Sequence, residues 1–168
     1  MFLDLHEIIE VPGRSVSFQC ELDRERLAFP TLEAFRGPVT ARGQVKNTAG
    51  VLELTADVRA DMTVRCDRCG VPFEKCLTPR FTATLQAGAE DADSEDIFPL
   101  EGDGVDAADV LETCLILDMD QKFLCRDDCK GLCPICGKDL NDGPCGCKKQ
   151  IDPRMAALGR LLDDIQEV

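Results

Sequence analysis

Six cysteines crowd into Cys125-Arg-Asp-Asp-Cys129-Lys-Gly-Leu-Cys133-Pro-Ile-Cys136-Gly-Lys-Asp-Leu-Asn-Asp-Gly-Pro-Cys145-Gly-Cys147, and a CxxC, Cys66 and Cys69, stands much earlier in the chain. Two thiolates at the ends of a tight turn can reach one tetrahedral ion at about 2.3 Å, so short-range cysteine pairs are what a thiolate-bound metal requires. Taken in order the pairs are Cys66/Cys69, Cys125/Cys129, Cys133/Cys136 and Cys145/Cys147. Four pairs make two four-thiolate sites.

Cys133-Pro-Ile-Cys136-Gly and Pro-Cys145-Gly-Cys147 are separated by a short span that Asn141, Asp142 and Gly143 can turn back. Closing so short a loop costs little entropy, and a zinc knuckle at Cys133, Cys136, Cys145 and Cys147 is the expected result. Cys125 and Cys129 then need two more thiolates. By elimination these are Cys66 and Cys69, which gives a second structural zinc site. The competing assignment puts Cys125, Cys129, Cys133 and Cys136 on one ion and strands Cys145 and Cys147. An iron–sulfur cluster could use similar ligands, but the spacings differ from the common ferredoxin runs. A redox CxxC would want a thioredoxin-like βαβ setting, which is missing. Cys20 and Cys114 fall on apolar faces and read as buried small residues. Cys76 falls on the polar side of its strand and is given no role.

The chain of 168 residues carries eleven cysteines and no run apolar enough to span a membrane, and it begins without a basic, then apolar, leader pattern. The expectation is a cytoplasmic protein, whose reducing surroundings favour metal-bound thiols over disulfides. Net charge is −13. That argues against broad attraction to phosphate backbones. The charge is uneven, however. Glu90 to Glu112 holds ten acidic residues and no Lys or Arg, whereas Arg36 to Arg80 holds eight basic residues against five acidic ones. The acidic run reads either as a solvated linker or as a docking surface for a basic partner.

Val51 to Cys66 alternates apolar and polar residues almost without fault, the pattern of a strand buried on one face. Its length leads us to expect a bulge or bend within it. The same period appears at Val16–Leu22, Val39–Val45 and Phe73–Leu85, with Asn47-Thr-Ala-Gly50 as a hairpin turn and Pro79 marking a break or an edge. Asp106 is placed to cap a helix carrying Val110, Leu111, Cys114, Leu115 and Leu117 on its apolar face. Asp152-Pro153 opens a terminal helix, and Leu3–Ile9 suggests a short helix. The expected fold is α+β: an antiparallel sheet covered by helix, a C-terminal zinc-binding cysteine knuckle and a terminal helix. Its parts are a core over 1–124 with an acidic linker at 87–105, the cysteine cluster at 125–150 and the helix at 151–168.

No histidine-bearing metalloprotease motif, nucleophile triad or phosphate loop is found, and the single histidine, His6, lies in an apolar segment. All-thiolate zinc sites leave no open coordination position. A non-enzyme is expected.

Taken together, Leu3-Asp-Leu5 with Pro12-Gly13, Asn47-Thr-Ala-Gly50, Cys66-Asp-Arg-Cys69 with Phe73, Asp96-Ile-Phe-Pro99, the Cys125–Gly137 run and Ile151-Asp-Pro-Arg-Met-Ala-Ala-Leu158 resemble the YceD family of large ribosomal RNA subunit accumulation proteins. The resemblance covers nearly the whole chain. It implies a bacterial or plastid factor that supports accumulation of large-subunit ribosomal RNA, often encoded beside a small zinc-binding ribosomal protein. It also implies that Cys66 and Cys69 carry the general family signature. Cys125 and Cys129 match a His/Cys-bearing segment of other branches, which supports pairing the two segments in one site. The Cys133–Cys147 cluster belongs to only part of the family. The implied partners are a basic large-subunit ribosomal protein, ribosomal RNA or both. The alternative is a protein-binding or metal-delivery module, serving a zinc-bearing ribosomal protein without touching RNA.

Overall fold

A computed structural model of the chain describes residues 1–88 and 97–147. Strand β1 (Phe2–Asp4) and helix α1 (His6–Ile9) lead into β2 (Ser15–Glu21), β3 (Leu32–Phe35), β4 (Thr40–Thr48) and β5 (Val51–Arg65). Then follow β6 (Pro72–Leu77), β7 (Arg80–Gln86), β8 (Ile97–Pro99), β9 (Gly104–Asp106) and helix α2 (Ala107–Asp118). The alternation in β5 becomes a strand whose even-numbered residues, Leu52 to Val64, are all buried. Its odd-numbered residues face the other way.

β5 is the spine of a seven-stranded sheet of order β2-β4-β5-β7-β8, with β3 and β6 also paired to it. Along one edge β6 and β7 keep a single register with β5, from Arg65↔Pro72 through Ala60↔Leu77 and on from Asp57↔Arg80 to Leu52↔Leu85. The break falls at Thr78-Pro79, where Pro79 offers no N–H but its carbonyl still accepts from the Val58 amide at 3.0 Å. Along the other edge β4 pairs from Thr48↔Val51 to Thr40↔Arg59, and β3 pairs near Val64, so each neighbour of β5 is made of two in-line pieces. The expected irregularity therefore sits in the partners: the register shifts in β3, between Leu32 and Ala34. β5 itself runs unbroken.

Two other expectations change. Leu3 lies in β1, which pairs with β9, and α1 is only one turn long. Within 87–105, Ile97–Pro99 forms β8 parallel to β7, and Gly104–Asp106 forms β9. Residues 89–96 of the expected linker and the expected terminal helix lie outside the described residues.

Asp106 caps α2 by accepting from the amides of Ala108 at 2.9 Å and Asp109 at 3.2 Å. Val110, Leu111 and Leu115 join the same apolar cluster as the inner residues of β2, β4, β5 and β7. Leu117 does not; it is 59% exposed. Glu112, by contrast, is buried on this helix. Its carboxylate accepts the Asp23 amide at 2.7 Å and pairs with Arg26 at 2.7 Å, which pins the loop after β2. The acidic run is thus not uniformly solvated.

Asn47 looked like turn chemistry alone but is fully buried. Its amide donates to the carbonyls of Ile8 and Ile9, both at 2.7 Å, while its side-chain oxygen accepts from Gly50 N–H at 2.8 Å. Ala49 (φ 54°) and Gly50 (φ 93°) are the central residues of a two-residue turn with both φ positive, a type I′ hairpin. Alanine is costly there. We expect two variants in this turn to move stability in opposite directions. Asn47→Ala removes three side-chain hydrogen bonds from a buried site and should cost about 2–3 kcal/mol. Ala49→Asn supplies the residue that the turn favours and should gain about 0.5–1 kcal/mol. Denaturant unfolding measures both, and a stabilising Asn47→Ala or a destabilising Ala49→Asn contradicts this account of the turn.

Candidate metal centres

At its end β5 runs straight into Cys66, and Cys66-Asp-Arg-Cys69-Gly-Val71 turns the chain back into β6. The Cys66 amide donates to Val71 O at 3.0 Å and the Gly70 amide to Cys66 O at 2.8 Å, with Gly70 at φ 71°. The same turn recurs at Cys133: its amide donates to Lys138 O at 2.8 Å, the Gly137 amide donates to Cys133 O at 2.9 Å, and Gly137 also has φ 71°. Glycine is needed at both positions because an L side chain is disfavoured there. Both turns aim two thiols at one point.

The thiols gather into two quartets, Cys66, Cys69, Cys125 and Cys129, and Cys133, Cys136, Cys145 and Cys147, each with all sulfur atoms within 4.8 Å of one another. The competing set of Cys125, Cys129, Cys133 and Cys136 does not gather. In the first, inner quartet Cys66 Sγ lies 3.8 Å from Cys129 Sγ, and Cys69 Sγ lies 3.7 Å from Cys125 Sγ. Four sulfurs about 2.3 Å from a common centre form a tetrahedron with edges of about 3.8 Å, so the spacing suits a thiolate-bound divalent ion. Each cluster could hold one metal ion. The inner cluster is largely buried, whereas Cys136 of the outer one is exposed.

The two residues inside the first CxxC hold the rest of the inner quartet in place. Asp67 accepts the Phe123 amide at 2.6 Å, and its own amide donates to Phe123 O at 2.9 Å. Phe123 is buried, stacks on Phe29 at 5.2 Å between ring centroids, and lies under Lys75 Nζ, which also pairs with Asp120 at 3.0 Å. Arg68 donates to Cys129 O at 2.7 Å. The segment carrying Cys125 and Cys129 is thereby docked on the hairpin tip independently of the thiols. Neither Asp67 nor Arg68 was singled out by spacing, although two charged residues between paired cysteines were a usable sign. Cys20 is buried and Cys76 exposed on the polar face, as their strand positions suggested; Cys114 is only half-buried.

The clusters divide their thiols into easy and hard ionisers. Burial opposes the Cys66 thiolate, but the amides of Cys125, Cys69 and Arg68 outweigh it and bring this thiol down to about 6. The amides of Cys136 and Ile135 bring Cys133 down to about 6. Burial, then the neighbouring Cys69 and Cys66 thiols, push Cys125 up to about 12, and Cys136 with burial pushes Cys147 up to about 12. Four thiolates repel one another, and a divalent cation is what allows all of them to ionise together.

The sign follows. In metal-free protein the Cys66 and Cys133 thiolates stabilise the fold above the ordinary thiol pKa near 9.0, and that contribution is lost as pH falls through about 6. A titration of metal-free protein by ultraviolet thiolate absorbance should therefore show its first ionisations near pH 6. A single ionisation phase at the ordinary thiol value would contradict this division. Asp67→Ala touches no thiol, and it should weaken divalent-ion binding at the inner cluster by about tenfold in chelator competition.

A mostly β fold with few helices and two four-cysteine clusters able to hold metal places the chain among small cysteine-clustered β proteins. Known proteins narrow that class. The family model described as "Large ribosomal RNA subunit accumulation protein YceD" matches residues 54–162, a stretch that holds both clusters, and the chain belongs to the YceD family. It is 32% identical over 117 residues to an uncharacterized protein of Mycobacterium tuberculosis, covering 67% of this chain and 56% of that one. It is 24% identical over 170 residues to the uncharacterized protein YlbN of Bacillus subtilis, covering 97% of each. A chloroplastic Arabidopsis thaliana protein, named large ribosomal RNA subunit accumulation protein YCED homolog 1, is 24% identical over 161 residues, covering 77% of this chain and 50% of that one. The chain thus spans about half the length of the mycobacterial and plant relatives. No solved structure matches. Among the described residues no helix is long and apolar enough to cross a membrane.

Proposed function

We propose that this protein is a non-enzymatic, zinc-stabilised factor of large-subunit ribosome assembly that supports accumulation of the large-subunit ribosomal RNA by holding a basic ribosomal protein. Membership of the YceD family supports the link to ribosomal RNA. Zinc suits the donors, because sets of four thiolates at tetrahedral spacing favour a borderline-soft ion with no geometric demand of its own. Such sites are closed, which supports a structural role over catalysis and over metal delivery. The assignment comprises Cys66, Cys69, Cys125 and Cys129 on one ion and Cys133, Cys136, Cys145 and Cys147 on the other. We also propose that it works in the cytoplasm.

The choice of a protein partner rests on how the basic residues are spent. Of the eight between Arg36 and Arg80, five are paired with carboxylates: Arg36 with Glu74, Arg59 with Asp61, Arg65 with Glu33, Lys75 with Asp120 and Arg80 with Asp57. The outer face of the sheet is therefore close to neutral, on a chain of net charge −13. Such a surface draws RNA weakly and a cationic protein strongly. Direct RNA contact is the second reading. It would fall to Arg42 and Lys46, which share the exposed face of β4 with no ion pair among the described residues, and to Lys130 and Lys138 near the clusters.

Elemental analysis of purified protein should give two zinc ions per chain; one zinc, or iron in its place, would overturn the metal assignment. A pulldown from lysate with and without ribonuclease tests the partner. The basic protein should stay bound after the RNA is removed, and neutralising the acidic residues between Glu90 and Asp106 should weaken its capture. Loss of every partner on ribonuclease treatment would favour the RNA reading.

A further inference from the structure

Asn141 joins the two clusters. It lies in the loop between Cys136 and Cys145, in the 3-10 turn Leu140–Asp142, whose cap Asp139 accepts from the Asn141 backbone amide at 2.8 Å. Its side chain reaches out of the outer cluster's loop to the inner one. Nδ2 donates to Asp139 Oδ1 at 2.7 Å and to Cys129 Sγ at 3.5 Å, while Oδ1 accepts the Lys130 amide at 2.8 Å. Every polar group of this amide is used, and the Lys130 N–H fixes which end faces the sulfur. Backbone bonds hold the two parts at this distance: Leu140 N–H donates to Gly131 O at 2.9 Å, and Leu132 N–H to Arg68 O at 3.1 Å. Gly131 packs so closely on Arg68 that an added Cβ would lie 2.8 Å from the Arg68 carbonyl oxygen.

Building on the reading that both clusters bind metal, we infer that they are coupled through Asn141: filling the outer site sets this amide against Cys129 and so tightens metal retention at the inner site. The physical basis is simple. An N–H donor to a metal-bound thiolate takes up part of its negative charge and fixes the direction of the sulfur, so the ligand is held in the geometry the ion needs. The outer thiols close the loop that carries Asn141. When the outer ion leaves, the loop ends are free, and the donor is held only by its bonds to Asp139 and Lys130 and by Leu140 on Gly131. Coupling of this kind is reciprocal, so an inner ion that holds Cys129 in place also favours the outer site.

Loading the full chain with the NMR-active cadmium isotope reads each site separately, the outer resonance being the one that disappears in Cys145→Ser. Asn141→Ala and Asn141→Asp both remove the hydrogen aimed at Cys129. The aspartate, however, keeps an oxygen for the Lys130 amide and nearly the same volume. In both variants the inner resonance should shift, and its cadmium should pass to a chelator about tenfold more readily, with the outer resonance unmoved. In the wild-type background Cys145→Ser should loosen the inner site to a similar degree; added to Asn141→Ala it should do little more. An unchanged inner resonance and release in the Asn141 variants, or fully additive effects of the two substitutions, would overturn the coupling. A wild-type chain that takes up no cadmium at all would instead remove the metal reading on which the coupling stands.

Discussion

The arrangement of this protein depends on one backbone constraint, the unbroken register that β5 keeps with β6 and β7 across the gap at Pro79. A slip of one residue would exchange Leu54, Val58 and Met62 for Glu53, Asp57 and Asp61 on the buried face, so the hydrophobic pattern enforces the register along the whole strand. The hairpin tip is thereby fixed in position and orientation. It is there that Cys66 and Cys69 lie, and the inner cluster inherits its precision from a sheet that has no other link to metal chemistry. Gly43 adds to this rigidity. It stands in register between Phe18 and Ala56, and a Cβ there would collide with the Thr55 carbonyl.

Around the inner quartet the chain builds supports that do not rely on the ion. Asp67 clamps Phe123, Phe123 stacks on Phe29 under Lys75, and Arg68 grips the carbonyl of Cys129. Such partners orient ligands and restrict their freedom before metal arrives, which lowers the entropy lost on binding. The outer cluster is built more lightly. It repeats the Cys-x-x-Cys-Gly turn of the inner one, but its thiols are more exposed and its loop is held mainly from within.

Much of this was legible beforehand. Alternation located β2, β4, β5 and the β6–β7 pair because one face of each is buried, and the Asp106 cap was readable because a carboxylate just ahead of an apolar run has few other uses. Cysteine spacing indicated the two quartets that the fold assembles. What spacing could not convey was anything carried by tertiary contact. Asn47 and Asn141 both sit in turn-forming sequences, where a local role is sufficient explanation, yet both act on distant chain segments. Glu112 looked like one more solvated acid because its partners, Asp23 and Arg26, come from a loop far away in sequence. The basic stretch from Arg36 to Arg80 looked available for phosphate, since cross-strand pairing with carboxylates emerges only once the register is known.

The reach of the two cysteine quartets along the chain bears on the order in which the protein can fold. The outer quartet is contained within Cys133–Cys147, a short loop that can close early and at small entropic cost. The inner quartet joins Cys66 to Cys129 and must wait until the hairpin has zipped and the chain has returned through α2. Its closure is a late, non-local event. A refolding chain can therefore carry an assembled outer knuckle while still lacking its tertiary structure, whereas an assembled inner cluster requires the hairpin, α2 and the returning segment to be in place.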